Sequence, residues 1–201
     1  MAQRVLACTS CHAKKDVNDQ YFPRISGKPA GYLYNQLRNF RDGRRQYPLM
    51  TYMVDHLPDA YLQEISQYFA AQHLPVPPLQ ASDATPAVLE RGRVLVTQGD
   101  PAIKVPACIA CHGERLTGVQ PSIPALIGLP RDYVNAQFGA WRNHVRTAQA
   151  PDCMGEIANR LSLSDVSAIS SWLATQPVAA DARPAPSVTR PLPLKCGSAP
   201  D

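Results

Sequence analysis

The stretch "CTSCH" at Cys8–His12 returns as "CIACH" at Cys108–His112, a hundred residues further along the chain. The residues downstream of each copy also repeat. At an offset of 101, Pro23 pairs with Pro124, Pro29 with Pro130, Tyr32 with Tyr133 and Gln36 with Gln137. Phe40 then falls on Trp141, Arg41 on Arg142 and Arg45 on Arg146. A three-residue insertion raises the offset to 104, where Met50 meets Met154, Leu57 meets Leu161, Ile65 meets Ile169 and Tyr68 meets Trp172. So many matches in one order, with only small insertions, mark an internal duplication.

Each copy reads as helical. Leu33, Leu37 and Phe40 recur at helix spacing, as do Val134, Phe138 and Trp141. A second amphipathic stretch carries Leu62, Ile65 and Phe69 in the first copy and Val166, Ile169 and Leu173 in the other. "PAVLERGRVLVTQG" predicts a further helix, opened by Pro86 and closed near Gly99; the first copy has almost no counterpart to it. No strand pattern competes, so the expected class is all-α. Two proline-rich stretches punctuate the chain. They divide it into a first domain over 1–74, a linker over 75–86, a second domain over 87–176 and a tail over 177–201 that shows neither helical nor strand periodicity.

The bulk numbers are permissive. The 201 residues suffice for two small domains, and the formal charge of +4 is mild and unclustered, unlike that of a nucleic-acid binder. No apolar run is long enough to span a bilayer. No secretory signal is visible ahead of Cys8, and a processed start is expected, because the chemistry of the two motifs belongs outside the cytoplasm.

In C-x-x-C-H, two thiols can add across two vinyl groups of one haem, which leaves the adjacent histidine under the iron. Zinc is the competing use of such residues, but zinc ribbons place their second CxxC far closer than a hundred residues away. A redox dithiol is disfavoured by the following histidine and by the missing strand pattern. Two covalent haem c groups are therefore expected, on Cys8, Cys11 and His12 and on Cys108, Cys111 and His112. A large apolar cofactor would also complete cores that are marginal at this domain size. The sixth ligand is read from the repeat. Met50 aligns with Met154, whereas Met53 lands on Ile157, which cannot ligate iron; Met50 and Met154 are the expected ligands. His56, His73 and His144 have no aligned histidine and read as surface or linker residues. Pro23 and Pro124 come soon enough after their haem histidines for each carbonyl to accept a hydrogen bond from the imidazole. Arg45 and Arg146 are candidates to hold haem carboxylates, which guanidinium binds bidentately.

With the CxxCH pairs assigned to haem, Cys153 and Cys196 are left. An oxidising compartment seldom leaves two thiols free when they can meet, so a Cys153–Cys196 disulfide is expected to pin the tail beside Met154.

CxxCH, the proline, the "YLYNQLRNF" helix, an arginine-containing turn, a methionine and the closing "ISQYFA" helix together resemble the class I cytochrome c domain. Two in tandem resemble the diheme cytochromes c of the cytochrome c4 type, over about residues 3–74 and 87–175. The resemblance implies two helical domains facing each other across a pseudo-twofold axis, with haem carboxylates near the interface. It implies a periplasmic electron carrier between a dehydrogenase or quinol-oxidising donor and a terminal oxidase, or an electron-transfer subunit of a dehydrogenase. The chain departs from the pattern at Ala13, in its short leading helix and in its cysteine-bearing tail. A competing reading is a small diheme oxidoreductase of the thiosulfate dehydrogenase or peroxidase sort, with Cys153 as an unusual iron ligand.

Overall fold

The computed structural model describes residues 1–12, 21–73 and 82–199. The run "AKKD" after the first motif and most of the expected linker, 75–81, lie outside the described residues. Nine α-helices occur among those described. In the first half these are α1 (Leu6–His12), α2 (Ala30–Arg41), α3 (Pro48–Val54) and α4 (Asp59–Ala70). The second half has α5 (Pro86–Thr97), α6 (Ile109–His112), α7 (Arg131–Arg142), α8 (Cys153–Arg160) and α9 (Leu163–Ala174). The bounds of α2 and α7 differ by the repeat offset of 101, and those of α4 and α9 by 104, so the duplication extends to the helix ends.

Local chemistry explains these limits. Pro29 and Pro130 precede α2 and α7 in extended conformation, which proline favours and which turns the chain into the first helical turn. Ser162 and Asp165 form a reciprocal capping box at the start of α9, satisfying backbone donors that the helix leaves open. Thr85 caps α5, and Pro86 stands at its first position, where no N–H is needed. The helices α3 and α8 that carry the two methionines lie outside the sequence expectation; both are short, and their apolar spacing gives too few turns to register. A two-stranded antiparallel hairpin, β1 (Gly99–Asp100) with β2 (Val105–Pro106), is the other addition to the expected all-α plan.

Each half packs its first long helix on its last. In the first half Leu33, Ile65 and Phe69 meet Val5, and Phe40, Val54 and Leu62 form an adjoining cluster. Leu62 and Phe69 are almost fully buried, each worth about 1.5–3 kcal/mol relative to exposure. In the second half Leu95, Val96, Val134, Phe138, Ile169 and Leu173 share one core. Helix α5 lies tightly on α9 because Gly92 has no side chain: a Cβ there would stand 2.1 Å from the Ala168 carbonyl oxygen. The first half offers only the single 3-10 turn Ala2–Val5 at its start, yet Val5 is buried like its repeat counterpart Val105.

The halves join through contacts that the repeat exchanges. Arg45 and Arg146 form an isolated antiparallel bridge, with the Gln46 N–H donating to the Val145 carbonyl (2.7 Å) and the Thr147 N–H to the Arg44 carbonyl (2.6 Å). Residue 46 aligns with 147 and residue 44 with 145, so one bond is the other's image under the duplication. This is the pattern of a pseudo-twofold axis.

Candidate functional site

Each half surrounds one apolar cavity. The first, of about 530 Å³, is lined by Cys8, Cys11, His12, Met50 and Met53, with Leu33, Phe40 and Phe69 in its wall. The second, of about 170 Å³, is lined by Cys108, Cys111, His112 and Met154, with Phe138, Trp141 and Leu173. Each cavity thus gathers both motif cysteines, the histidine and the aligned methionine. Met53 also faces the first cavity, so geometry does not separate it from Met50 as the repeat does.

The histidines are held identically. His12 Nδ1 lies 2.7 Å from the Pro23 carbonyl and His112 Nδ1 lies 2.7 Å from the Pro124 carbonyl. A carbonyl only accepts, so Nδ1 carries the proton in both rings. Burial pulls the His112 imidazole below its usual range; the Pro124 bond opposes this and the nearby Lys28 charge reinforces it. Burial pushes the Cys108 thiol up to about 12, with the neighbouring Cys111 adding to the effect. As free thiols these sulfurs sit in surroundings that disfavour the charge of a thiolate. The thioethers of an attached haem carry no such charge. No group of three or more His, Cys, Asp or Glu able to hold a metal ion occurs among the described residues.

The methionine helices are tied back to the long helices by a duplicated contact. Arg41 Nη1 donates to the Leu57 carbonyl (3.0 Å), and Arg142 Nη1 to the Leu161 carbonyl (2.5 Å). The sequence repeat pairs these arginines without assigning them a role. The Asp152 carboxylate accepts from the Gly155 N–H (2.9 Å) and the Ala148 N–H (2.8 Å), shaping the turn that presents Met154.

Between the cavities, Arg45 and Arg146 make crossed bonds. Arg45 donates to Gln36 (2.9 Å) and Gln137 (2.7 Å), and Arg146 to Gln137 (2.6 Å) and Gln36 (3.2 Å). Arg45 lies over the Phe40 ring at 4.6 Å and Arg146 over Trp141 at 3.9 Å. Arg45 lines the first cavity and Arg146 lines both. The two glutamines are visible in the sequence as an aligned pair, but only the assembled interface shows them bridging the arginines. Trp141 Nε1 is buried and has no acceptor among the described residues, although it borders the second cavity. An orphaned donor beside enclosed guanidinium groups matches a cofactor that brings carboxylates. Apolar walls, paired thiols and a histidine with its Nδ1 committed match the rest of a haem.

Cys153 and Cys196 are joined in a disulfide, with Cα atoms 5.2 Å apart. The tail therefore runs back along the second half, where Leu192, Leu194 and Cys196 join the lining of the second cavity. Pro191, Pro193 and Lys195 are exposed while Leu192 and Leu194 are half-buried, and the described part of the tail forms no helix or strand, as expected. With its sulfur bonded to Cys196, Cys153 is not the iron ligand that the oxidoreductase reading required. His56 and His144 are exposed and remain outside both cavities.

No protein-family model matches the chain. It is 33% identical over 174 residues to the thiosulfate dehydrogenase electron acceptor of Thiomonas intermedia, covering 86% of this chain and 79% of that protein. It is 32% identical over 173 residues to cytochrome c4 of Pseudomonas aeruginosa, covering 85% and 84%. The structure of reduced cytochrome c4 from Pseudomonas stutzeri superposes with a TM-score of 0.71 at 29% identity, covering 86% of this chain and 94% of that one. A repeated CxxCH fold, two cavities with haem-attachment residues and these likenesses converge: the chain belongs to the cytochrome c4 family, diheme electron-transfer cytochromes with two covalently attached haem c groups.

Proposed function

We propose that the chain works in the periplasm, accepting electrons from a dehydrogenase of the thiosulfate-oxidising kind and passing them towards a terminal acceptor such as an oxidase. A haem with histidine and methionine ligands cycles between ferric and ferrous iron by one electron at a raised potential. The residues of this chain hold the two groups for that role. His12 and Met50 are the ligands in the first half and His112 and Met154 in the second, with the Pro23 and Pro124 carbonyls orienting the imidazoles through Nδ1. Arg45 and Arg146 offer guanidinium donors to the haem carboxylates from the interface. The observation that carries the reading is the crossed Arg45–Gln137 and Arg146–Gln36 pairing. It sets one polar centre between two apolar cavities, where Arg45 and Arg146 would hold carboxylates of both haems close enough together for electron exchange. The likeness to a protein named for accepting electrons from thiosulfate dehydrogenase supports the donor. No helix among the described residues is long and apolar enough to cross a membrane.

The test mixes the ferric holoprotein with a catalytic amount of thiosulfate dehydrogenase and thiosulfate while the visible spectrum is followed. Reduction of both haems is expected, in two one-electron steps of unequal potential when titrated at equilibrium. A protein with intact haem spectra that stays ferric in this mixture would exclude that donor.

A further inference from the structure

Lys28 lies in the loop leading into α2, and its side chain lines both cavities. The repeat places Leu129 at the corresponding position, so this charge occurs once in a molecule otherwise built twice. Arg24 and Arg45 lie near it, and Arg146 stands beside Arg45. Among the described residues no carboxylate comes within ion-pair distance of Lys28, Arg45 or Arg146. Burial pulls the Lys28 ammonium below its usual range; Tyr133 opposes this, and Arg24 and Arg45 add to it. Cations so enclosed are strongly unfavourable unless anions meet them. Carboxylates of haems held in the two cavities that Lys28 lines would be anions able to meet them.

We propose that Lys28 is a shared counter-cation of the two haems, set between the cavities so that one ammonium serves carboxylates from both and raises both potentials. The reduction concerned adds one electron from the external donor to one ferric iron, which becomes ferrous. Ferric iron carries the extra positive charge, so a nearby cation disfavours it and favours the ferrous product. Lys28 acts through the carboxylates and the local field and is a positioning residue. The inference rests on the electron-transfer reading above but not on the identity of the donor.

Equilibrium redox titration of the holoprotein with visible spectra, on wild type and on Lys28→Leu, Lys28→Gln and Lys28→Arg, tests it. Leucine is what the repeat itself carries at this position, and glutamine is a second neutral variant should the leucine variant lose haem. In a neutral variant both steps are expected to shift towards the ferric form by about tenfold in the equilibrium, which is 59 mV for a one-electron couple. Lys28→Arg should hold both steps within about threefold of wild type, since it keeps the charge. Unmoved potentials in a neutral variant with intact spectra would overturn the proposal. Movement of one step alone would overturn the sharing, and loss of the low-spin spectrum in Lys28→Arg as well would reduce the residue to packing. Failure of the thiosulfate-dependent reduction leaves these potentials readable, so the two readings fail separately.

Discussion

The two halves repeat four helices and align the same cysteines, histidine and methionine, yet only the second has the tail in its cavity wall. In the first half Tyr47 and Leu49, beside Met50, line the cavity and stay 42% and 49% exposed. Leu49 aligns with Cys153 under the repeat, and Cys153 is where the tail is clasped. Thus the first copy leaves these apolar side chains exposed among the described residues, while in the second copy Leu192 and Leu194 of the tail join the lining of the cavity. The duplicated scaffold sets where the aligned methionine stands. A segment outside the duplication adds apolar side chains to the surroundings of Met154 alone. Exposure and polarity around a haem tune its potential, so the halves are expected to differ in potential although the proposed ligands are of the same kind.

The largest expected effect separates the methionines. Met50→Ala and Met154→Ala should each remove about half of the long-wavelength sulfur-to-iron band of the ferric protein, whereas Met53→Ala should leave it whole. Both Met50 and Met53 face the first cavity, so a result in which Met53→Ala removes the band would mean that the repeat misplaces the ligand there.

The disulfide comes next. Opening it with Cys153→Ser or Cys196→Ser frees a loop of 43 residues. By the loop-entropy argument the second half should lose about 4 kcal/mol of stability. Denaturant unfolding followed at each haem should show the second half melting earlier and the first half unchanged. Equal destabilisation of both halves would show that the clasp serves the whole molecule. A linked peptide containing Cys153 and Cys196 is expected in a non-reduced digest.

The smallest effect isolates the cover from its clasp. The Gly197 N–H donates to the Pro151 carbonyl (2.9 Å), and a Cβ at 197 would come within 2.2 Å of the Ala150 carbonyl oxygen. Gly197→Val should therefore push the tail off its seat, at roughly 1–3 kcal/mol, with the disulfide and Met154 in place. Faster tryptic cleavage after Lys195 would report it. Cleavage at the wild-type rate would mean that the tail seat accepts a side chain and that contact at Gly197 does not hold the cover down.

Much of this molecule is legible in one dimension because its chemistry is local. Haem attachment needs two cysteines and a histidine within five residues, and helices need apolar residues at three- and four-residue spacing; both patterns lie in contiguous sequence. The Pro23 and Pro124 carbonyls are reachable too, since the turn after each motif is short and repeats. Duplication then supplies what local pattern lacks, by aligning Met50, and not Met53, with Met154. The short helices α3 and α8 and the hairpin β1–β2 are not legible, because so few residues carry no periodic signal.

What the sequence by itself determined is therefore the duplicated all-α plan, the attachment residues, the aligned methionines and a pairing for the two leftover cysteines. Tertiary structure alone decided that Arg45 and Arg146 cross over two glutamines, that Lys28 reaches both cavities, and that Leu192 and Leu194 of the tail join the wall of the second cavity. Those contacts join segments that are distant in the chain. Their energies depend on burial and on the charges brought alongside, and neither exists until the halves have met.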